Sequence, residues 1–129
     1  LQQLSPHMVG IGPFIPHHDT PFAHFPAGSV TMTLRLLAIL RLLLPGGLLP
    51  ATTALATLDP MGREKAMRAG AIVVMPNLSP QSVRKKYDLY DHKVSSGSEA
   101  AEAVEKLRAR MAAAGFTVVV GRGDSRVPV

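Results

Sequence analysis

Residues 48–75 read LLPATTALATLDPMGREKAMRAGAIVVM, and the order of patterns within them sets the fold class. Leu48 to Leu55 is an apolar run with Pro50 near its start, the signature of a buried strand. Asp59 then precedes Pro60, the usual order of an N-cap and a first helical residue. A helix is expected from Asp59 to about Ala69, with Gly70 free to adopt the left-handed cap. Ala71 to Met75 is apolar again and reads as a further strand. Strand, helix, strand is a crossover unit. It joins parallel strands, with a right-handed sense.

The same alternation extends to both sides. Upstream, Met8 to Ile15 is an apolar run broken by Gly10, Gly12 and Pro13, and reads as a buried strand ending in an irregular turn. Pro16 to Ser29, rich in proline and histidine, reads as a loop. Thr31 to Leu44 reads as a helix stopped by Pro45, Gly46 and Gly47. Downstream, Ser79 and Pro80 open a helix to about Tyr90. Ser95 to Ser98 is a linker, and Ser98 caps a helix from Glu99 to about Ala114. That helix has Ala100, Val104, Leu107, Met111 and Ala114 on one face. Gly115 ends it, Phe116 to Val120 is a short strand, and Gly121 to Val129 a polar tail. The fold class is therefore α/β: about three β/α units of a TIM-like barrel over residues 1–93, then a helix and strand over residues 94–129. Three units leave sheet edges open, so a larger barrel is expected, completed by an N-terminal half or a complementary chain.

The chain has 129 residues, a formal charge of +5 and no cysteine. Its own residues therefore offer no disulfide, thiolate zinc site or cysteine-held iron–sulfur cluster. The basic residues are scattered, apart from Arg84, Lys85 and Lys86, which read as a solvated helix face rather than a nucleic-acid surface. Met32 to Leu44, the most apolar stretch, carries Arg35 and Arg41. It is also shorter than the ~20 residues of a membrane helix. Leu1 to His7 has no basic n-region and no following small-residue cleavage site, so a secretory signal is not expected in these residues.

In a parallel barrel, chemistry gathers where strands end. Three such places stand out: Gly12 to His17, Pro50 to Ala54, and Met75 to Asn77. Thr52 and Thr53 offer adjacent hydroxyls for an anion, though β-branching alone would also place them in a strand. Asn77 either binds a ligand or caps its turn. His17, His18, Asp19 and His24 form the best apparent metal cluster, but their spacing matches no metal signature, so no metal site is expected. Arg122-Gly123-Asp124 reads as a turn, and Gly121 and Gly123 precede no helix and form no phosphate loop.

Several strings carry a resemblance. Met8-Val9-Gly10-Ile11-Gly12-Pro13-Phe14-Ile15-Pro16-His17 and Asp19-Thr20-Pro21 resemble the sixth barrel strand and following loop of HydE-type hydrogenase maturases. Leu34 to Pro45 is similar to the next helix, and Pro50 to Ala54 to the seventh strand. Gly62-Arg63-Glu64, Arg68-Ala69-Gly70-Ala71, Val74-Met75-Pro76-Asn77 and Tyr87-Asp88-Leu89-Tyr90 follow in family order. The resemblance implies a radical S-adenosylmethionine enzyme of the cytoplasm, built on a β/α barrel. Such an enzyme uses S-adenosylmethionine and a [4Fe–4S] cluster and acts on a small iron complex in assembly of the [FeFe]-hydrogenase centre.

The resemblance places Met8, Ile15 and Tyr87 beside S-adenosylmethionine. It places Thr52 and Thr53 at a substrate or anion position, and Pro13 and Phe14 in the cavity wall. The family's CxxxCxxC cluster loop has no counterpart in these residues, so the chain is expected to be inactive alone. His18 stands where the family pattern has proline. Methylornithine synthase and biotin synthase are the related alternatives, although biotin synthase usually carries an arginine in its seventh strand, where Pro50 to Ala54 has none. A non-catalytic module that keeps an S-adenosylmethionine or anion pocket is a further alternative.

Overall fold

The computed structural model describes residues 2–84, 91–92 and 100–125. A 3-10 turn over Gln2–Leu4 leads into three chain segments that run side by side. Met8 bridges Leu48 and Pro50 bridges Val73, both in parallel. The ladder between them is short. Val9 N–H donates to Leu48 at 3.0 Å and Leu48 N–H to His7 at 2.8 Å. Ala51 N–H donates to Val73 at 2.9 Å, and Ile72 N–H to Leu49 at 2.9 Å. Adjacency and parallel sense are as expected. The extent is not, because the three runs form isolated bridges rather than continuous strands.

Helix α1, Val30–Leu43, crosses from the first segment to the second. Ser29 caps it, its hydroxyl accepting from Met32 N–H at 3.2 Å, which satisfies one of the free first-turn donors. Its inner stripe, Thr33, Leu37 and Leu40, is buried. The core joins Leu37, Leu40 and Leu44 to Leu49, Ala51 and Leu55 and to Ala66 and Ala71. Truncating a wholly buried leucine such as Leu37 costs about 2–5 kcal/mol.

The second segment ends at Ala51, well short of Leu55. Thr52 is the N-cap of a short helix, α2, over Thr53–Leu58, and α3 follows at Gly62–Arg68. The helix expected from Asp59 is α3, which begins only at Gly62 with Met61 as its N-cap, while α2 starts inside the stretch expected as strand and Asp59 closes it rather than opening the next helix. Its N–H reaches Leu55 O at 2.9 Å, while its carboxylate accepts from Met61 N–H at 2.9 Å in the intervening turn. Gly62 permits the corner, since a Cβ there would stand 2.3 Å from the Leu55 carbonyl oxygen. Gly70 ends the unit in the left-handed region, at φ +114°.

Helix α4 is described over Gln81–Arg84; the expected continuation to Tyr90 and the linker at Ser95 to Ser98 lie outside the described residues. Helix α5, Ala100–Ala113, buries Leu107 and Met111. Gly115, at φ +88°, follows it. Phe116 to Val120 pairs with no strand among the described residues, and Val119 and Val120 are exposed.

The first segment also departs from expectation. Met8 is 48% and Phe14 47% exposed, because no further segment covers their side among the described residues. No described helix is long and apolar enough to cross a membrane.

Candidate functional site

The corner at Thr52 and Thr53 is built by the switch from extended chain to α2. Thr52 has extended backbone, φ −72° and ψ 154°, and its side chain makes no capping bond. Its hydroxyl oxygen is buried without a hydrogen-bond partner among the described residues. A buried polar atom left so costs about 1–3 kcal/mol, the size of penalty that a functional group offsets elsewhere in a fold. Gly12 lies directly against it: a Cβ at Gly12 would stand 2.9 Å from that oxygen. Thr53 is half-buried at the first position of α2, and its carbonyl accepts from the Thr57 hydroxyl at 3.0 Å.

Pro13 is buried beside this corner. The next residue is held by Gly28, whose N–H donates to Phe14 O at 2.8 Å and whose missing Cβ would meet Phe14 N at 2.8 Å. The Phe14 ring turns outward and meets Phe22 edge-on at 6.4 Å, and Phe22 meets Phe25 at 5.6 Å. Ile15 is half-buried next in line. Structure therefore brings Gly12 against Thr52, with Pro13, Phe14 and Ile15 following Gly12 along the chain and Thr53 following Thr52. It does not bring Met8 there. Met8 pairs with Leu48 at the other end of the segment, four residues before Gly12, or about 13 Å at about 3.3 Å per extended residue. Tyr87 lies outside the described residues. Asn77 caps its own turn, its side-chain oxygen accepting from Ser79 N–H at 3.0 Å.

A second cluster forms at the loop after Pro16. His18 Nδ1 lies 2.7 Å from Asp91 Oδ1, and His18 N–H donates to Asp91 Oδ2 at 3.0 Å. Asp91 N–H returns a bond to Pro16 O at 3.1 Å. The side-chain bond to Asp91, helped by the charges of Asp19 and Asp91, raises the His18 pKa above its ordinary value. The same bond holds Asp91 below the usual carboxylate range. His17 stacks on His18 at 4.4 Å and 19°. Asp91 was invisible to a reading by local spacing, since it lies 73 residues from its partner.

No family model matches the chain. Curated relatives do. The chain is 53% identical over 87 residues to the [FeFe] hydrogenase maturase subunit HydE of Thermotoga maritima, covering 67% of this chain and 25% of that protein. It is 34% identical over 87 residues to the 3-methylornithine synthase of Methanosarcina acetivorans, with 67% and 24% covered. The corresponding enzyme of Methanosarcina barkeri stands at 33% over the same length. The class common to these relatives is that of the radical S-adenosylmethionine enzymes. Within it the chain belongs with the HydE type, whose C-terminal region it matches. It spans about a quarter of the length of these relatives.

Proposed function

We propose that this chain is the C-terminal portion of a radical S-adenosylmethionine enzyme that serves [FeFe]-hydrogenase maturation. The observation that carries the reading is the 53% identity to the HydE subunit over two thirds of the chain, against 34% to 3-methylornithine synthase. In this reading a small iron complex is the substrate. Thr52 and Thr53 bind an anionic group of it, with Pro13 and Phe14 shaping the wall. The unpartnered Thr52 hydroxyl supports this, since a hydroxyl held dry at a strand end has a donor to offer.

The cluster does not fit these residues. With no cysteine, the chain supplies none of the thiolates a [4Fe–4S] centre takes. S-Adenosylmethionine fits better. Ile15 offers a half-buried apolar contact beside the corner, and Tyr87 is proposed as a second contact. Met8, at the far end of its segment, is the weakest member of the set.

The test is a hydrogenase maturation assay lacking its HydE component, supplemented with the intact protein that contains this chain. Hydrogen evolution is expected, with no 3-methylornithine formed. The reverse pattern, or neither product, overturns the proposal. Replacing Thr52 and Thr53 together by valine keeps their shape. Substrate affinity should then fall at least about tenfold, equivalent to about 1.4 kcal/mol, and S-adenosylmethionine affinity should hold.

A further inference from the structure

We infer that His17, His18 and Asp91 form a binding site for a divalent cation of the zinc class, apart from the strand-end corner. Each of the three residues offers one ligand atom, and these atoms lie within 4.8 Å of one another. Two imidazoles and one carboxylate are the donor set that zinc and its neighbours in the first transition row take up.

Sequence spacing argued against such a site, because adjacent histidines seldom point the same way. Here they do: the rings are stacked 4.4 Å apart and 19° from parallel. The third donor comes from a distant segment, and backbone bonds fix it in place. Asp91 N–H holds Pro16 O, and His18 N–H holds Asp91 Oδ2. Asp19 N–H donates to His17 Nδ1 at 3.1 Å, a bond that must open when either nitrogen of the neutral His17 ring takes the ion, and Asp19 Oδ2 lies 3.3 Å from His18 Nε2. His24, the fourth residue of the local cluster, is not part of the set.

Two ligands of a tetrahedral zinc ion stand roughly 3.3 Å apart, given metal–ligand bonds of about 2.0–2.1 Å. Donors already within 4.8 Å need only small side-chain rotations to reach that spacing. The ion takes the place of the direct contact between His18 Nδ1 and Asp91 Oδ1, and water completes the coordination. His18 is 69% exposed at its side chain and Asp91 31%, so an entry path exists and the ligands can relax around the ion. The inference does not rest on the maturase reading.

The experiment is calorimetric titration of zinc chloride into the intact, tag-free protein with its cysteines alkylated, so that thiolates elsewhere take no metal, with cobalt(II) absorption as a second readout of imidazole and carboxylate ligation. One equivalent should bind. His18→Asn and Asp91→Asn should each weaken that equivalent at least about tenfold, with the cobalt ligand-field band lost. His24→Asn should leave both signals unchanged. Absence of zinc binding overturns the inference. So does binding that survives both asparagine variants, or binding that His24→Asn weakens as much, which would be diffuse adsorption to exposed histidines. Thermal melts without metal establish that each variant is folded.

Discussion

Gly12 and Thr52 illustrate how a single missing methyl shapes this molecule. The hydroxyl of Thr52 occupies the space a Cβ at Gly12 would need. Gly12→Ala should therefore destabilise the fold by about 1–3 kcal/mol, the usual cost of overpacking. The cost should shrink when Thr52→Ala is added, a coupling that a double-mutant cycle in urea would read. Gly10, two residues away, has nothing within 4 Å of its Cβ position, so Gly10→Ala should be close to neutral and serves as the control. A second residue-scale expectation concerns Asp59. Its hydrogen bond from Lys65, then that from the Met61 N–H, hold its carboxyl below the ordinary 3.8. A carboxyl depressed in the folded state adds stability above its unfolded pKa, and that stability is lost as pH falls through the folded value. Lys65→Met should return Asp59 toward 3.8 in a carboxyl NMR titration; an unmoved midpoint would remove Lys65 as the cause.

At the scale of elements, the end of α1 was legible because its signal is local, Pro45 with two glycines, whereas its N-cap, Ser29, read only as the last residue of the preceding loop. The division between α2 and α3 was not legible. Thr53 to Leu58 carries the apolar and β-branched residues of a strand, and only packing settles it as a helix with Leu55 and Ala56 inside. The close approach of Gly62 to Leu55 O is likewise a contact between elements that no spacing rule encodes. Gly62→Ala sets a Cβ against backbone that cannot rotate away, so a loss of about 2–3 kcal/mol or more is expected in equilibrium unfolding. Arg41 was equally hidden. It read as one scattered charge, yet it donates to the carbonyls of Gly70, Leu44, Pro45 and Gly47 at 2.9–3.2 Å, tying the end of α1 to the end of the next crossover. The Thr52–Thr53 corner was visible as a motif, whereas its geometry awaited the early end of its strand.

Over the whole molecule, α5 is joined to the crossover units by one buried charge. Glu64 is 3% exposed, and its Oε1 accepts from Arg110 Nε at 2.8 Å and lies 2.6 Å from Arg110 Nη2. Arg110 Nη2 also donates to Pro60 O at 2.6 Å. Removing one member of a buried pair costs about 3–5 kcal/mol because the other is stranded, and the 41% exposure of the Arg110 side chain lowers that to about 1–3. Arg110→Met should show this loss in thermal unfolding, with partial recovery on adding Glu64→Gln. An Arg110→Met protein as stable as the parent would show that Leu107 and Met111 alone hold α5. The parallel pairing of the three segments also bears on kinetics. Neither bridge joins sequence neighbours, so each closes a long loop before any contact repays the lost chain entropy. Until such a loop closes, the apolar runs at residues 8–15 and 48–51 have no strand partner, and unpaired apolar edges of this kind are what draw folding chains into aggregates.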